Sequence, residues 1–174
     1  DYQQRHRREL DLARKVAEFY KVERHLVINT NMAAIGGSAL TDAAVNVPDG
    51  DASRQDIPVT YVPARNLIFL GYALGYAEVI GADHIFIGVN SVDYSGYPDC
   101  RPEFIRLFQD LADYSTKAAV ADGRRIVIET PLSQLSKSGI VQLGVKLGAP
   151  LKLTTSCYRG GDKACGVCDS CVLR

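Results

Sequence analysis

Apolar residues recur along much of the chain at the spacing of an α-helix. Residues 5–21 place apolar side chains on one face and charges on the others, which predicts an amphipathic helix. Two more helices are predicted at residues 66–80, ended by Gly81, and around residues 104–112. A last helix is expected after Ser136, because serine is a common N-cap, and it should stop at residues 148–150.

Short apolar runs bounded by polar residues lie between these helices. They occupy residues 25–29, 84–88 and 125–129, and they are typical of buried strands. Helices that alternate with short apolar strands predict an α/β fold, with a doubly wound parallel sheet between helices in three layers. Ligands of such sheets bind beyond the carboxyl ends of the strands, here at residues 29–31, 88–101 and 130–137.

Residues 31–61 break the pattern. They contain Gly36-Gly37-Ser38 and Asp49-Gly50-Asp51, a composition that does not sustain a regular element. A loop of this length in a compact domain is usually a functional lid or partly disordered.

Composition narrows the possibilities further. A chain of 174 residues, 47% of them apolar, suits one α/β domain with a small appendage. Basic and acidic residues both number 20, so no overall field attracts nucleic acid or an anionic membrane. The most apolar stretch, residues 67–77, is far shorter than the roughly 20 residues of a membrane-spanning helix. The chain opens without a signal region, so we expect it to begin inside a domain.

The candidate chemistry is clearest at the C-terminal end. Four of the five cysteines, Cys157, Cys165, Cys168 and Cys171, lie within fifteen positions among glycines, where zinc would find four thiolate ligands. With four protein ligands the zinc would be structural, folding a tail at residues 154–174 beside a main domain at residues 1–153. An iron–sulfur cluster, a redox dithiol and free thiols are the alternatives. The clustering does not suit a disulfide framework. We therefore expect a reducing compartment, and hence the cytoplasm.

A polar segment dense in aromatic rings follows the second predicted strand. It reads DYSGYPDCR at residues 93–101, and the cysteine region reads CYRGGDKACGVCDSC at residues 157–171. Further motifs are DYQQRH at residues 1–6, VPARN at 62–66 and ETPL at 129–132. Together these motifs resemble those of the 7-cyano-7-deazaguanine synthases, a family of queuosine biosynthesis. The similarity runs essentially from end to end.

The resemblance implies an enzyme with an adenine-nucleotide α-hydrolase-like (PP-loop) domain. Its members use ATP, with Mg²⁺, to convert 7-carboxy-7-deazaguanine and ammonia into the nitrile through an adenylylated carboxylate and an amide. It also implies small-molecule substrates, a homodimer and no nucleic-acid partner.

The resemblance further assigns roles to residues. The catalytic candidates are Arg101 and Lys137, and the substrate-binding candidates are Asp93, Tyr94, Tyr97, Asp99, Arg101 and Phe104. The nucleotide-binding candidates are Tyr2, Arg5, His6, Arg65, Asn66 and Gly88.

Several of these residues also have a purely structural interpretation. Arg5 and His6 could be solvated, and Arg65 with Asn66 could simply begin a helix. We interpret Cys100 as a packed thiol, because adenylylation needs no covalent enzyme intermediate. His25 and His84, each next to a predicted strand, are expected to be structural.

One departure from the family concerns its phosphate-binding loop, Ser-Gly-Gly-x-Asp-Ser, which follows the first strand. Ser38 with its preceding glycines lies in the long loop and is not a substitute. We therefore expect the 174 residues to be a fragment, cut upstream and soon after Arg174.

Two other functions remain open from the sequence alone. A different PP-loop enzyme, which thiolates or amidates tRNA, would share the fold. A zinc-containing nucleic-acid-binding module is the second alternative, although the neutral net charge and the lack of a basic, aromatic stripe disfavour it.

Overall fold

The structure, a computed structural model, describes residues 1–51, 56–90 and 96–174. The chain divides into two compact units. The first unit comprises Asp1–Pro63 and Lys137–Arg174, and the second comprises Ala64–Ser136. The predicted boundary between residues 153 and 154 is a different division, and it stays a prediction.

Helices account for most of the regular structure. They are α1 (Arg8–Phe19), α2 (Arg65–Ile80), α3 (Pro102–Ser115), α4 (Lys117–Val120), α5 (Lys137–Lys146) and α6 (Asp169–Val172). The strands are β1 (His84–Phe86) and β2 (Val127–Glu129). Single turns of 3₁₀-helix occur at Met32–Ala34, Pro98–Cys100 and Leu151–Leu153.

The second unit has a continuous apolar core. Its helix α2 ends as predicted at Gly81, whose φ of 70° is a left-handed conformation that glycine adopts without strain. Side chains from both strands and three helices form the core, namely Leu70, Leu74, Ala77, Ile85, Phe108, Ala112, Ala118, Ile126 and Ile128. Burial of these groups is the main stabilising contribution to this unit.

The two strands are parallel, with His84 opposite Val127 and Phe86 opposite Glu129, which confirms the predicted parallel pairing. They are not buried on both faces as expected. In each strand the middle residue is the buried one, and Phe86 is 71% exposed. The reason is that only the middle side chain points at the core, since successive residues of a strand face opposite sides.

The side chain of Gln109 on α3 covers the outer edge of β2. Its Nε2 donates to the carbonyl oxygen of Ile126 at 3.0 Å, and its Oε1 accepts from the N–H of Ile128 at 2.8 Å. An amide group thereby takes the place that a further strand would occupy. It satisfies two backbone groups that an exposed edge would leave open.

In the first unit the strand predicted at residues 25–29 is wrong. Leu26 is 53% exposed, and no strand is assigned in this segment. Among the described residues, the backbone bonds near this segment go to Asp1, whose amino group donates to the oxygen of Ile28 and whose oxygen accepts from the N–H of Thr30, both at 2.8 Å. One residue cannot form a ladder, and an apolar run becomes a strand only when a neighbour pairs with it.

Helix α1 begins at Arg8, three residues later than expected, because the preceding residues form tighter turns, in which the N–H of Glu9 donates to the oxygen of His6 at 3.2 Å and that of Leu10 to Arg7 at 3.0 Å. The long loop is irregular where it is described, apart from the turn at Met32–Ala34. It is nevertheless packed, since Leu40 is 1% exposed and its N–H donates to Oγ of Ser38 at 3.1 Å.

Helix α5 starts directly after Ser136, as predicted. The three-layer, doubly wound arrangement remains a prediction, because the described strands form a two-stranded sheet. Among the described residues, no helix is both long enough and apolar enough to cross a bilayer.

Candidate active site and metal centre

The four predicted metal ligands lie together. The Sγ atoms of Cys157, Cys165, Cys168 and Cys171 are all within 4.8 Å of one another, and those of Cys165 and Cys171 are 3.9 Å apart. Bonds of about 2.3 Å in tetrahedral zinc–thiolate sites place the sulfur atoms roughly 3.8 Å from each other. The cluster therefore fits a metal ion held by four thiolates, with Cys168 fully buried and Cys157 nearly so.

The pKa values of two of these thiols move in opposite directions. The pKa of Cys165 is lowered to about 6, first by a backbone hydrogen bond from Val167, because that bond favours the thiolate. Burial raises the pKa of Cys171 to about 12, since removal from water disfavours its charged form. Without metal, then, the cluster holds a thiolate and a thiol side by side at neutral pH.

Polar contacts bind the cysteine region to residues 47–51 of the long loop. The N–H of Gly50 donates to the oxygen of Val167 at 2.6 Å, and the N–H of Asp51 donates to Oδ1 of Asp169 at 2.9 Å. Arg159 pairs with Asp49 at 2.5 Å. A Cβ on Gly50 would lie 3.1 Å from the backbone of Asp169, so a larger residue would crowd this approach.

The same region packs on the N-terminal segment through Gly160. A Cβ added there would lie 2.7 Å from the carbonyl oxygen of Arg5 and 3.1 Å from Cα of His6. The neighbouring ring of Tyr158 lies 5.9 Å from the imidazole of His6. The cysteine region therefore helps to position two of the predicted nucleotide-binding residues.

His6 is 6% exposed and sits in a small polar network. Its Nε2 lies 3.4 Å from the hydroxyl of the buried Tyr2 and 3.3 Å from Oε1 of Glu9. Within the described residues, Nδ1 of His6 is buried without a hydrogen-bond partner. Tyr2 and His6, both predicted nucleotide-binding residues, are thus brought together.

The guanidinium of Arg5 holds the loop. Both hydrogens of Nη2 are directed to carbonyl oxygens, those of Asp42 and Val45, each at 3.0 Å. These bonds give Arg5 a structural part, whatever else its side chain binds.

In the second unit, Asn66 and Asp99 are joined at the start of α2. Oδ2 of Asp99 accepts the backbone N–H of Asn66 at 2.8 Å, as an N-cap side chain would, although it comes from 33 residues away. Nδ2 of Asn66 donates to Sγ of Cys100 at 3.1 Å. Cys100 is buried, in agreement with its interpretation as a packed thiol.

The other predicted site residues lie in varied surroundings. Tyr97 precedes the 3₁₀ turn and is half-buried, Phe104 packs on the core beside Phe108, and Arg101 and Gly88 are exposed. Arg65 is the first residue of α2 in the second unit, and Lys137 the first of α5 in the first unit. Asp93 and Tyr94 fall outside the described residues.

The two histidines that were expected to be structural differ in their surroundings. His84 begins β1, and its Nδ1 lies 3.1 Å from Oε1 of Glu129 on β2, which supports a structural part. His25 is exposed, and residues 25–29 do not form a strand, so its expected position beside a strand is wrong. Its structural role stays a prediction.

Two cavities occur among the described residues, one in each unit. One, in the first unit, has a volume of about 910 Å³ and charged walls that include Arg8, Arg14 and Lys15. Arg14 pairs with Asp11 at 2.6 Å, and Arg8 lies 3.7 Å from Asp162.

The other cavity, of about 310 Å³, lies in the second unit. Residues that follow both strands line it, Val89 after β1 and Thr130 after β2. This is the place where parallel sheets bind ligands. The sequence predicts a ligand site at the segments that follow the two strands, but it does not predict that α3 forms one wall of it.

Comparisons with known proteins decide the family. The model of the family described as Queuosine biosynthesis protein QueC matches residues 1–174. This chain belongs to the QueC family. A protein of Desulfitobacterium hafniense named 7-cyano-7-deazaguanine synthase is 62% identical over 174 residues, covering 100% of this chain and 73% of the relative.

Further relatives carry the same name. That of Acetivibrio thermocellus is 58% identical, with 100% of this chain and 77% of the relative covered, and that of Pseudomonas syringae pv. tomato is 56% identical, with 100% and 76% covered. These findings confirm the resemblance and show that the chain belongs to a family of enzymes.

Family membership does not by itself assign the individual residues. The roles predicted for the substrate-binding, nucleotide-binding and catalytic candidates therefore stay predictions. The cysteine cluster stands apart, because geometry supports it directly.

Proposed function

We propose that this QueC-family chain converts 7-carboxy-7-deazaguanine and ammonia into 7-cyano-7-deazaguanine at the expense of ATP. The observation that carries the proposal is the 62% identity, over the whole of this chain, with a protein named for that product. At this level of similarity a shared reaction is the simplest account of the two sequences.

The chemistry follows from the carboxylate. Its negative charge repels a nucleophile, so ATP first transfers AMP to it and releases pyrophosphate. Ammonia then attacks the acyl carbon, AMP leaves, and an amide forms. A second ATP transfers AMP to the amide oxygen and releases pyrophosphate. AMP then leaves with that oxygen as the two N–H protons are lost, which yields the nitrile.

Charge neutralisation is the main task of the side chains in such a reaction. We assign it to Arg101 and Lys137, together with Mg²⁺. The proposed substrate-binding residues are Asp93, Tyr94, Tyr97, Asp99 and Phe104, and the proposed nucleotide-binding residues are Tyr2, Arg5, His6, Arg65, Asn66 and Gly88. The Lys137 ammonium would face a phosphate or carboxylate oxygen.

For the cysteine cluster we propose Zn²⁺ with a structural part. Four thiolates fill the tetrahedral positions, so none is left for water or substrate. The finer expectations belong to the same proposal. They are the three-layer PP-loop fold, a homodimer that acts on small molecules in the cytoplasm, and no nucleic-acid partner.

Incubation of full-length protein with ATP, Mg²⁺, ammonium and 7-carboxy-7-deazaguanine tests the reaction. Mass spectrometry should detect the nitrile, together with AMP and pyrophosphate. Absence of the nitrile from metal-loaded, folded protein would overturn the proposal.

A matched pair of variants tests the role of Lys137. Lys137→Ala should lower kcat by about 10²–10³-fold, as expected for the loss of one charge-stabilising group. Lys146→Ala removes the same side chain from the exposed last turn of the same helix, and it should leave kcat within about twofold. Equal effects of the two substitutions would contradict the role given to Lys137.

A further inference from the structure

The cavity of about 310 Å³ in the second unit has a size that limits its ligand. Small-molecule sites run from about 300 to 1,000 Å³, so this one lies at the lower limit. It is suited to a single bicyclic base rather than to a nucleoside triphosphate. Its apolar lining comes from Val89, Ile105 and Ile128, which can contact a flat ring.

One wall of the cavity is the outer edge of β2. Gln109 and Ile128 both line it, and the Gln109 amide fixes this edge through its bonds to Ile126 and Ile128. Because the N–H and C=O of one strand residue point to the same edge, the carbonyl of Ile128 lies on the outer side with its N–H. The next N–H along that edge belongs to Thr130, which also lines the cavity.

These two groups are an acceptor and a donor side by side. Within residues 1–51, 56–90 and 96–174, neither the Ile128 carbonyl nor the Thr130 N–H has a hydrogen-bond partner. The edge that Gln109 covers at Ile126 is therefore open one step further along. Polar backbone groups at a cavity wall are readily paired by a ligand that presents the complementary pair.

We propose that this cavity binds the lactam edge of the 7-deazaguanine base, with the Thr130 N–H donating to the base carbonyl and the Ile128 carbonyl accepting from the adjacent ring N–H. The inference rests on the proposed function for the identity of the base. A lactam offers an acceptor beside a donor, the complement of this edge. An adenine-type ring, with an amino group beside an unprotonated nitrogen, matches the same two groups only when it is turned over, which carries its 7-substituent from the Thr130 side to the Ile128 side.

The charges at the cavity suit the 7-carboxylate of the substrate. Arg106 and Arg125 are lining cations, against the single lining carboxylate of Asp110. Arg106 is held by Asp110 at 3.0 Å, and Arg125 by Asp113 at 3.0 Å. Both guanidinium groups are thus fixed in place by carboxylates, and an anionic ligand would share them with Asp110 and Asp113.

Two substitutions at one position test the backbone contact in the full-length protein. Thr130→Pro removes the N–H, while Thr130→Ala keeps it and loses the same side chain, so the ratio of their affinities reports the N–H alone. Proline breaks no hydrogen bond of the described residues here, and the preceding Glu129 is already in a strand, as a residue before proline prefers. We expect Thr130→Pro to bind 7-carboxy-7-deazaguanine at least about tenfold more weakly than Thr130→Ala, with KM for ATP within about twofold.

Amide hydrogen exchange gives a readout that needs no substitution. In wild-type protein the Thr130 amide should exchange fast without ligand and markedly more slowly with saturating 7-carboxy-7-deazaguanine, as followed by NMR. Unchanged exchange with the saturating base would overturn the proposal even if the proline variant failed to fold.

The outcomes separate this proposal from the proposed function. If wild-type protein makes the nitrile while the two Thr130 variants bind the base equally, the cavity is not the base site and the function stands. If the base binds as described but no nitrile forms, the cavity stands and the reaction fails.

Discussion

The two units of this chain are stabilised by different means. In the second unit, apolar side chains at regular spacing meet in one cluster that includes Leu70, Ile85 and Phe108. In the first unit, the cysteine region is held by individual polar bonds and by close backbone approaches at Gly50 and Gly160. Apolar burial is non-directional and tolerates small shifts, whereas each bond in the first unit depends on one geometry.

This contrast gives the proposed metal a defined task. Helix α6 has four residues and helix α1 has no fully buried residue, so the first unit has little regular packing around its tail. A metal bound by four thiolates would contribute folding free energy where apolar burial cannot. The second unit should be indifferent to the metal.

The largest expected effect comes from a metal ligand. Cys168→Ser removes the thiolate that is 0% exposed, and we expect loss of metal and unfolding of the first unit together. Metal analysis and hydrogen exchange measure the two losses. Cys100→Ser is the matched control, since Cys100 is buried outside the cluster, and it should keep its metal. Soluble, well-folded, metal-free Cys168→Ser protein with full activity would refute a structural metal.

A core substitution in the second unit should have the opposite pattern. Phe108→Ala empties a position that is 4% exposed and should cost about 3–5 kcal/mol of unfolding free energy, measured by denaturant titration, without loss of metal. Its neighbour Leu107 is 57% exposed, so Leu107→Ala should stay within about 0.5 kcal/mol. Metal loss in Phe108→Ala would show that the two units do not behave separately.

Alanine substitutions at two glycines of the cysteine region distinguish the cost of backbone strain from the cost of a steric collision. Gly160 and Gly166 have φ of 71° and 76°, so alanine at either should cost about 1–2 kcal/mol. Only at Gly160 would a Cβ also collide, at 2.7 Å from the oxygen of Arg5. We expect Gly160→Ala to exceed Gly166→Ala by at least about 1 kcal/mol in denaturant titrations of the metal-bound protein. Equal losses would mean that the N-terminal segment does not pack on Gly160.

The same contrast explains what could be predicted from the sequence. Helix α2 with its stop at Gly81, the parallel pair of strands and the ligand spacing of the cysteines all have local signatures. The cap that Asp99 places on α2 and the Gln109 amide at the edge of β2 do not. Each joins residues 17 to 33 positions apart, and no periodicity marks such pairs.

Errors in the first unit have a related cause. Residues 25–29 have the composition of a strand, yet a strand needs a neighbour, and sequence patterns do not reveal whether one is present. Arg5 was expected at a ligand, and nothing in its sequence context indicates that its guanidinium bonds to the carbonyls of Asp42 and Val45. Both the success and the errors follow from whether an interaction is local.

The last expected effect concerns pH. The pKa of Cys171 is raised to about 12, so this thiol is protonated near neutrality and must release its proton when metal binds. Each proton released makes the affinity rise about tenfold per pH unit, and Cys171 contributes one such factor between pH 6 and 8. Cys165, with its pKa lowered to about 6, is already a thiolate there, and it should steepen the dependence only as the pH falls below about 6. Competition with a chelator at several pH values measures how the metal affinity depends on pH. As a control in the same samples, the amide hydrogen exchange of the core around Phe108 should not vary with metal. A metal affinity that does not change from pH 6 to 8 would mean that no thiol proton is displaced, and thiolate ligation of the metal would then be wrong.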